Sequence, residues 1–132
     1  MGQQQLLLIV LGVIIVGIAV VVGINVFTAS ASSSNRDAIT ADLTNLAAMA
    51  QQYYRKPLAL GGGGNSFLNF AIPASLQKTA NMGTAGATIS TPGTTTGIGF
   101  TAVGTENGTN GTSGVSVVVT VTPTGISTSI SN

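Results

Sequence analysis

The sequence predicts an α+β chain: a long N-terminal helix over about residues 3–55, followed by a small C-terminal antiparallel β-sheet head. Three patterns predict it. An uninterrupted apolar run opens the chain, a three-and-four spacing of apolar residues follows, and a period-two alternation closes it.

The apolar run extends from Leu6 to Ile24, nineteen residues drawn only from Leu, Ile, Val, Ala and Gly. At 1.5 Å per residue it reaches about 28 Å, close to the hydrocarbon thickness of a bilayer. Gly12, Gly17, Gly23 and Ala19 let neighbouring backbones approach, while Val13, Ile14, Ile15 and Val16 supply stiff ridges. Residues 1–27 therefore read as a hydrophobic helix that is apolar all round, and such a helix must be covered by lipid or by other protein. A cleaved secretory signal is the competing reading, since Ala29-Ser30-Ala31 resembles its cleavage site. Against it, the stretch before the run has no Lys or Arg, and the run exceeds the usual ~7 to 15 residues.

Residues 28–56 read as an amphipathic continuation. Between Phe27 and Asn35 the composition turns to Thr, Ala, Ser and Asn, which compete with the backbone for hydrogen bonds. Two readings stay open there: a bend, with Ser34 and Asp37 as a capping-box-like restart, or an unbroken helix. Beyond Arg36, Ile39, Leu43, Leu46, Ala47, Ala50, Tyr53 and Tyr54 fall on one helical stripe. Ile39, Leu43, Leu46 and Ala50 are the positions expected to pack on the head. Pro57 ends the element, and Arg55 and Lys56 sit where the helix dipole favours positive charge. A continuous helix of this length would be about 80 Å long.

Residues 57–132 hold fourteen Gly and twenty-three Ser or Thr. That composition would suit disorder were it not for periodicity at the end. Val115, Val117, Val119 and Val121 alternate with Ser116, Val118, Thr120 and Thr122; Pro123-Thr124-Gly125 supplies a turn; Ile126, Thr128 and Ile130 alternate with Ser127 and Ser129. Thr84 to Ser90 and Gly97 to Thr105, flanking Thr91-Pro92-Gly93, read as two further strands, giving a sheet of about four. Phe67 to Ile72 reads as a strand or packed loop, and Pro73 as the opening of a short helix to Lys78. The valine face should lie on the Ile39 stripe, making a Gly/Thr-rich head with a modest core.

Chemistry is constrained by what is missing. Lys and Arg total four, Asp and Glu three, and His and Cys are absent, for a net charge of +1. Zinc and haem sites of the usual kind, disulfides and Ser/His or Cys/His catalysis are excluded, and no catalytic, cofactor-binding or metal residue can be named. Arg36, Arg55, Lys56 and Lys78 form no basic patch, so no nucleic-acid partner is expected. Asp37, Asp42 and Glu106 are too scattered for a paired-carboxylate site, and the chain is expected not to be an enzyme. Gly61-Gly62-Gly63-Gly64 lacks the Lys and Ser/Thr of a phosphate loop and reads as a link or close-packed turn. Asn107-Gly108-Thr109 and Asn110-Gly111-Thr112 each fit the N-glycosylation pattern, and Asn-Gly fits a hairpin turn equally well.

An apolar helix of about 25 residues, its amphipathic continuation and a small C-terminal sheet together resemble a processed type IV pilin or pilin-like filament subunit. The resemblance covers the whole architecture. It implies a homopolymer joined through N-terminal helices, a pilus assembly machinery, and a membrane reservoir of unassembled subunits. If Met1 is the mature first residue, Gln5 stands where the family usually carries a glutamate that pairs with a neighbour's N-terminal amine. Gln5 can hydrogen-bond but cannot neutralise that amine. If Met1 is the initiator, Gly2 takes the place of the cleavage residue and the basic leader is missing.

The expected function is a structural protomer of an extracellular type IV pilus-like helical filament, stored in the inner or cytoplasmic membrane before assembly. Its expected filament core comprises Leu6, Ile9, Val13, Val16, Val20 and Ile24. The alternatives are a single-span membrane-anchored surface protein with a Thr-rich binding head, and a phage or secretion-system coat component.

Overall fold

A computed structural model describes residues 2–131. Met1, on which the processing expectation turns, lies outside the described residues. In chain order the elements are α1 (Gly2–Arg55), a single 3-10 turn (Leu58–Leu60), α2 (Ala74–Gln77), β1 (Met82–Thr91), β2 (Ile98–Asn107), β3 (Gly114–Val121) and β4 (Ile126–Ser131). One long N-terminal helix thus precedes a four-stranded antiparallel meander in the order β1-β2-β3-β4, the α+β class the sequence predicts.

The chain forms two compact units that divide between Ala31 and Ser32. The described part of the first, from Gly2, is helix alone, and its large apolar side chains are exposed from Leu6 to Phe27. Thr28 Oγ1 donates to Ile24 O at 3.0 Å, so the hydroxyl is satisfied by the helix itself. Residues 28–35 are helical, which decides between the two readings of that segment.

The second unit contains the rest of α1 and the sheet. Its core is one cluster: Ile39, Leu43, Leu46, Ala47 and Ala50 from α1, Phe67 from the connection, and the inward residues of β1, β2 and β3. β3 carries the clearest alternation, with Val115, Val117, Val119 and Val121 all fully buried. β4 pairs with β3 without interruption, yet its six residues are all exposed. Ile126, Thr128 and Ile130 share a side with the buried valines they face, so the apolar core stops short of the sheet's last strand.

One detail differs from the sequence expectation and two refine it. β1 begins at Met82 instead of Thr84, and its ladder shifts register between Met82 and Ala87. Gly86 has φ +63 in that interval, which bends the strand as a bulge does. Phe67 to Ile72 is loop, held by Phe67 N–H donating to Thr94 O at 3.0 Å with the Phe67 ring fully buried. Pro73 stands just before α2, as its N-cap, and the helix runs from Ala74 to Gln77.

Candidate functional site

The apolar half of α1 is the first candidate. Leu6, Ile9, Val13, Val16, Val20 and Ile24 are each between 55% and 67% exposed. So are their neighbours on every side of the helix: all seventeen large apolar side chains from Leu6 to Phe27 exceed half exposure. An exposed Leu or Ile is ordinary on a protein surface, but a continuous sleeve of them is far larger than the apolar patches that monomeric proteins leave open. Helix α1 is long and apolar enough to cross a membrane. Apart from the exposed Asn25 amide near its C-terminal end, the stretch carries no polar side chain, so its chemistry is chiefly burial.

Ile39, Leu43, Leu46 and Ala50 lie together in the core of the second unit, none more than 1% exposed. Tyr54 packs its ring against Phe67 at 4.7 Å between centroids, and Tyr53 meets Phe70 edge-on at 5.4 Å. The Tyr53 hydroxyl donates to Leu68 O at 2.8 Å. Both tyrosines are therefore engaged in packing.

A polar clasp flanks this apolar stripe, and sequence patterning alone did not single it out. Asn35 is 8% exposed, and its Nδ2 donates to Asn81 O at 2.9 Å and Thr105 Oγ1 at 3.4 Å. Its Oδ1 accepts the Glu106 N–H at 3.3 Å. About two turns further on, Asp42 Oδ2 accepts from Thr79 Oγ1 at 2.6 Å and from Asn81 Nδ2 at 3.2 Å. One carboxylate thus serves two donors and ties α1 to the start of β1. The partners lie far away in sequence, which is why local pattern does not reveal them.

The glycine run after α1 has its amides occupied. Gly63 N–H donates to Tyr53 O at 2.8 Å, Gly64 N–H to Lys56 O at 2.9 Å, and Asn65 N–H to Tyr54 O at 2.8 Å. These bonds cap the last carbonyls of the helix. Amides spent on a helix end are not available to cradle a phosphate.

Asn107 and Asn110 lie at the β2–β3 connection and are exposed. Neither Asn-Gly pair is a type I′ turn, which needs positive φ at both residues. Within this connection Gly111 alone has positive φ, at +70. Asn107 is the last residue of β2, paired with Gly114, and its Nδ2 donates to Gly111 O at 3.2 Å. Asn110 Oδ1 accepts the Thr112 and Ser113 N–H groups at 3.2 and 3.1 Å.

Among the described residues no group of three His, Cys, Asp or Glu could hold a metal ion. No protein-family model, curated protein or solved structure matches this chain.

Proposed function

We propose that the chain is a non-enzymatic structural protomer of an extracellular helical filament of the type IV pilus kind. It assembles as a homopolymer through its apolar N-terminal helix, is handed on by a pilus assembly machinery, and waits in the inner or cytoplasmic membrane as an unassembled subunit. One observation carries this reading: seventeen large apolar side chains between Leu6 and Phe27 are more than half exposed, while the sheet's core closes on residues of its own unit.

Fully burying one such side chain is worth about 1.5 to 3 kcal/mol, so leaving them all in water is untenable beside a typical folding stability of roughly 5 to 15 kcal/mol. Lipid can cover the helix in storage, and sister helices can cover it in a fibre. The lack of charge between Gly2 and Asn35 suits a dry bundle, where an unpaired charge costs several kcal/mol. A non-enzymatic role is supported by the engagement of Asp42 with Thr79 and Asn81 and by the scarcity of other reactive groups.

Material sheared from producing cells tests the reading by electron microscopy and peptide mass spectrometry. Regular fibres containing this chain are the expected result. Recovery only from detergent-extracted membranes would end the filament reading in favour of a single-span anchored surface protein.

A further inference from the structure

The two glycosylation patterns at the β2–β3 connection are not equivalent in the folded chain. We infer that Asn110, and not Asn107, is the acceptor for an N-linked glycan.

The amide nitrogen of an asparagine is a weak nucleophile because its lone pair is delocalised into the carbonyl. Becoming glycosylated requires Nδ2 to be accessible and to lose a proton as the new bond forms, which shifts negative charge onto Oδ1. At Asn110 the geometry serves both needs. Oδ1 accepts two backbone N–H groups, from Thr112 and Ser113, and those donors stabilise charge on the oxygen. Because backbone N–H can only donate, the atom they meet must be the oxygen, which leaves Nδ2 on the opposite side of the amide. Nδ2 makes no hydrogen bond among the described residues, and the residue is exposed between the strands. The first of those donors belongs to Thr112, the hydroxyl residue the acceptor pattern requires.

Asn107 is placed the other way round. It is locked in the ladder opposite Gly114, and its Nδ2 is the atom in use, donating to Gly111 O. Its Thr109 follows through Gly108, whose N–H is bonded to Ser113 O at 2.7 Å next to the end of the ladder.

The donor is a sugar linked to a lipid through phosphate. The bond between sugar C1 and the phosphate oxygen breaks, C1 bonds to Asn110 Nδ2, Nδ2 gives up one proton to a base of the transferring enzyme, and the lipid phosphate leaves with the electron pair. A neutral glycan there would add a hydrated layer to a head whose surface carries very little charge. This inference shares with the filament reading only the requirement that the head lies outside the membrane.

The test uses full-length chain taken from its own producing cells. No Lys or Arg lies between Thr79 and Asn132, so trypsin leaves both acceptor patterns on one peptide that begins at Thr79, insensitive to processing at the N-terminus. The wild-type peptide should exceed its polypeptide mass by one glycan, Asn110→Gln and Thr112→Ala should return it to the bare mass, and Asn107→Gln and Thr112→Ser should keep the excess. Thr112→Ala retains the residue 112 N–H and so guards against loss of the turn. A bare wild-type peptide, an excess that survives Asn110→Gln, or an excess lost in Asn107→Gln would each overturn the assignment. A bare peptide recovered from regular fibres would overturn it while leaving the filament reading intact.

Discussion

Replacing Val16 by Asp separates packing among helices from simple residence in a membrane. Val16 is 62% exposed near the middle of the apolar run. On insertion scales an Asp at a helix centre costs about 2.5 to 3.5 kcal/mol, while Leu, Ile or Val contributes about −0.3 to −0.6 each. Fourteen such residues remain between Leu6 and Ile24 once Val16 is changed. Together they supply roughly 4 to 8 kcal/mol, so the variant still partitions into membranes. In a dry bundle the same carboxylate has no partner, and the penalty is several kcal/mol. Even about 3 kcal/mol raises the subunit concentration needed for assembly on the order of a hundredfold, at 1.4 kcal/mol per decade. The assay is the ratio of chain in the sheared fibre fraction to chain in the membrane fraction, with Val16→Leu as the volume-tolerant control. The expected outcome is a membrane pool near wild type with fibre yield lost in the Asp variant alone. Wild-type fibre yield from Val16→Asp would refute burial of residue 16, and with it the proposed packing.

Other consequences concern the head and can be read from near-UV dichroism of Tyr54, whose ring lies against Phe67. Leu43→Ala removes a side chain with no exposure at all and should destabilise the head by about 2 to 5 kcal/mol in denaturant titration; a change within error would mean that the site collapses to fill the space. Asn35→Ala leaves the Glu106 N–H without its partner, while the Asn81 carbonyl keeps the Thr105 N–H at 3.3 Å, and at about 1 to 3 kcal/mol per unsatisfied group the change should cost about that much once. Loss of protection in hydrogen exchange should then begin at Glu106, and uniform loss across the sheet would contradict the clasp. Raising salt to about 1 M, where the Debye length is about 3 Å, should leave fibre yield nearly unchanged because so few charges are present; dissolution at high salt would place ion pairs at the subunit contact.

The α+β class was legible because both periodicities are strong and local. Val115 to Val121 alternates without a break, and Pro123 to Gly125 marks the turn before β4. The helix could be read through Arg55 because Pro57 cannot continue it. What escaped depends on partners distant in sequence. Asn35 sits where composition allowed a bend, and its burial rests on Asn81, Thr105 and Glu106. Phe67 belongs to a loop whose sequence gives no period, and its place in the core is set by Thr94 and Tyr54. The early start of β1 turns on a bulge at Gly86 that alternation cannot signal. For the apolar half of α1, composition reveals that a cover is needed, but the cover belongs to other molecules.

The four glycines that follow α1 look interchangeable, a monotonous stretch in which one letter could drift to another unnoticed. Their surroundings constrain each one separately. Gly61 and Gly64 have φ of +77 and +55, where a side chain is strained, and a methyl group on Gly62 or Gly63 would collide with the Lys56 backbone or the Ser66 carbonyl. Repetitive spelling here encodes four distinct constraints, so tolerance to change should be lowest where the text looks least informative.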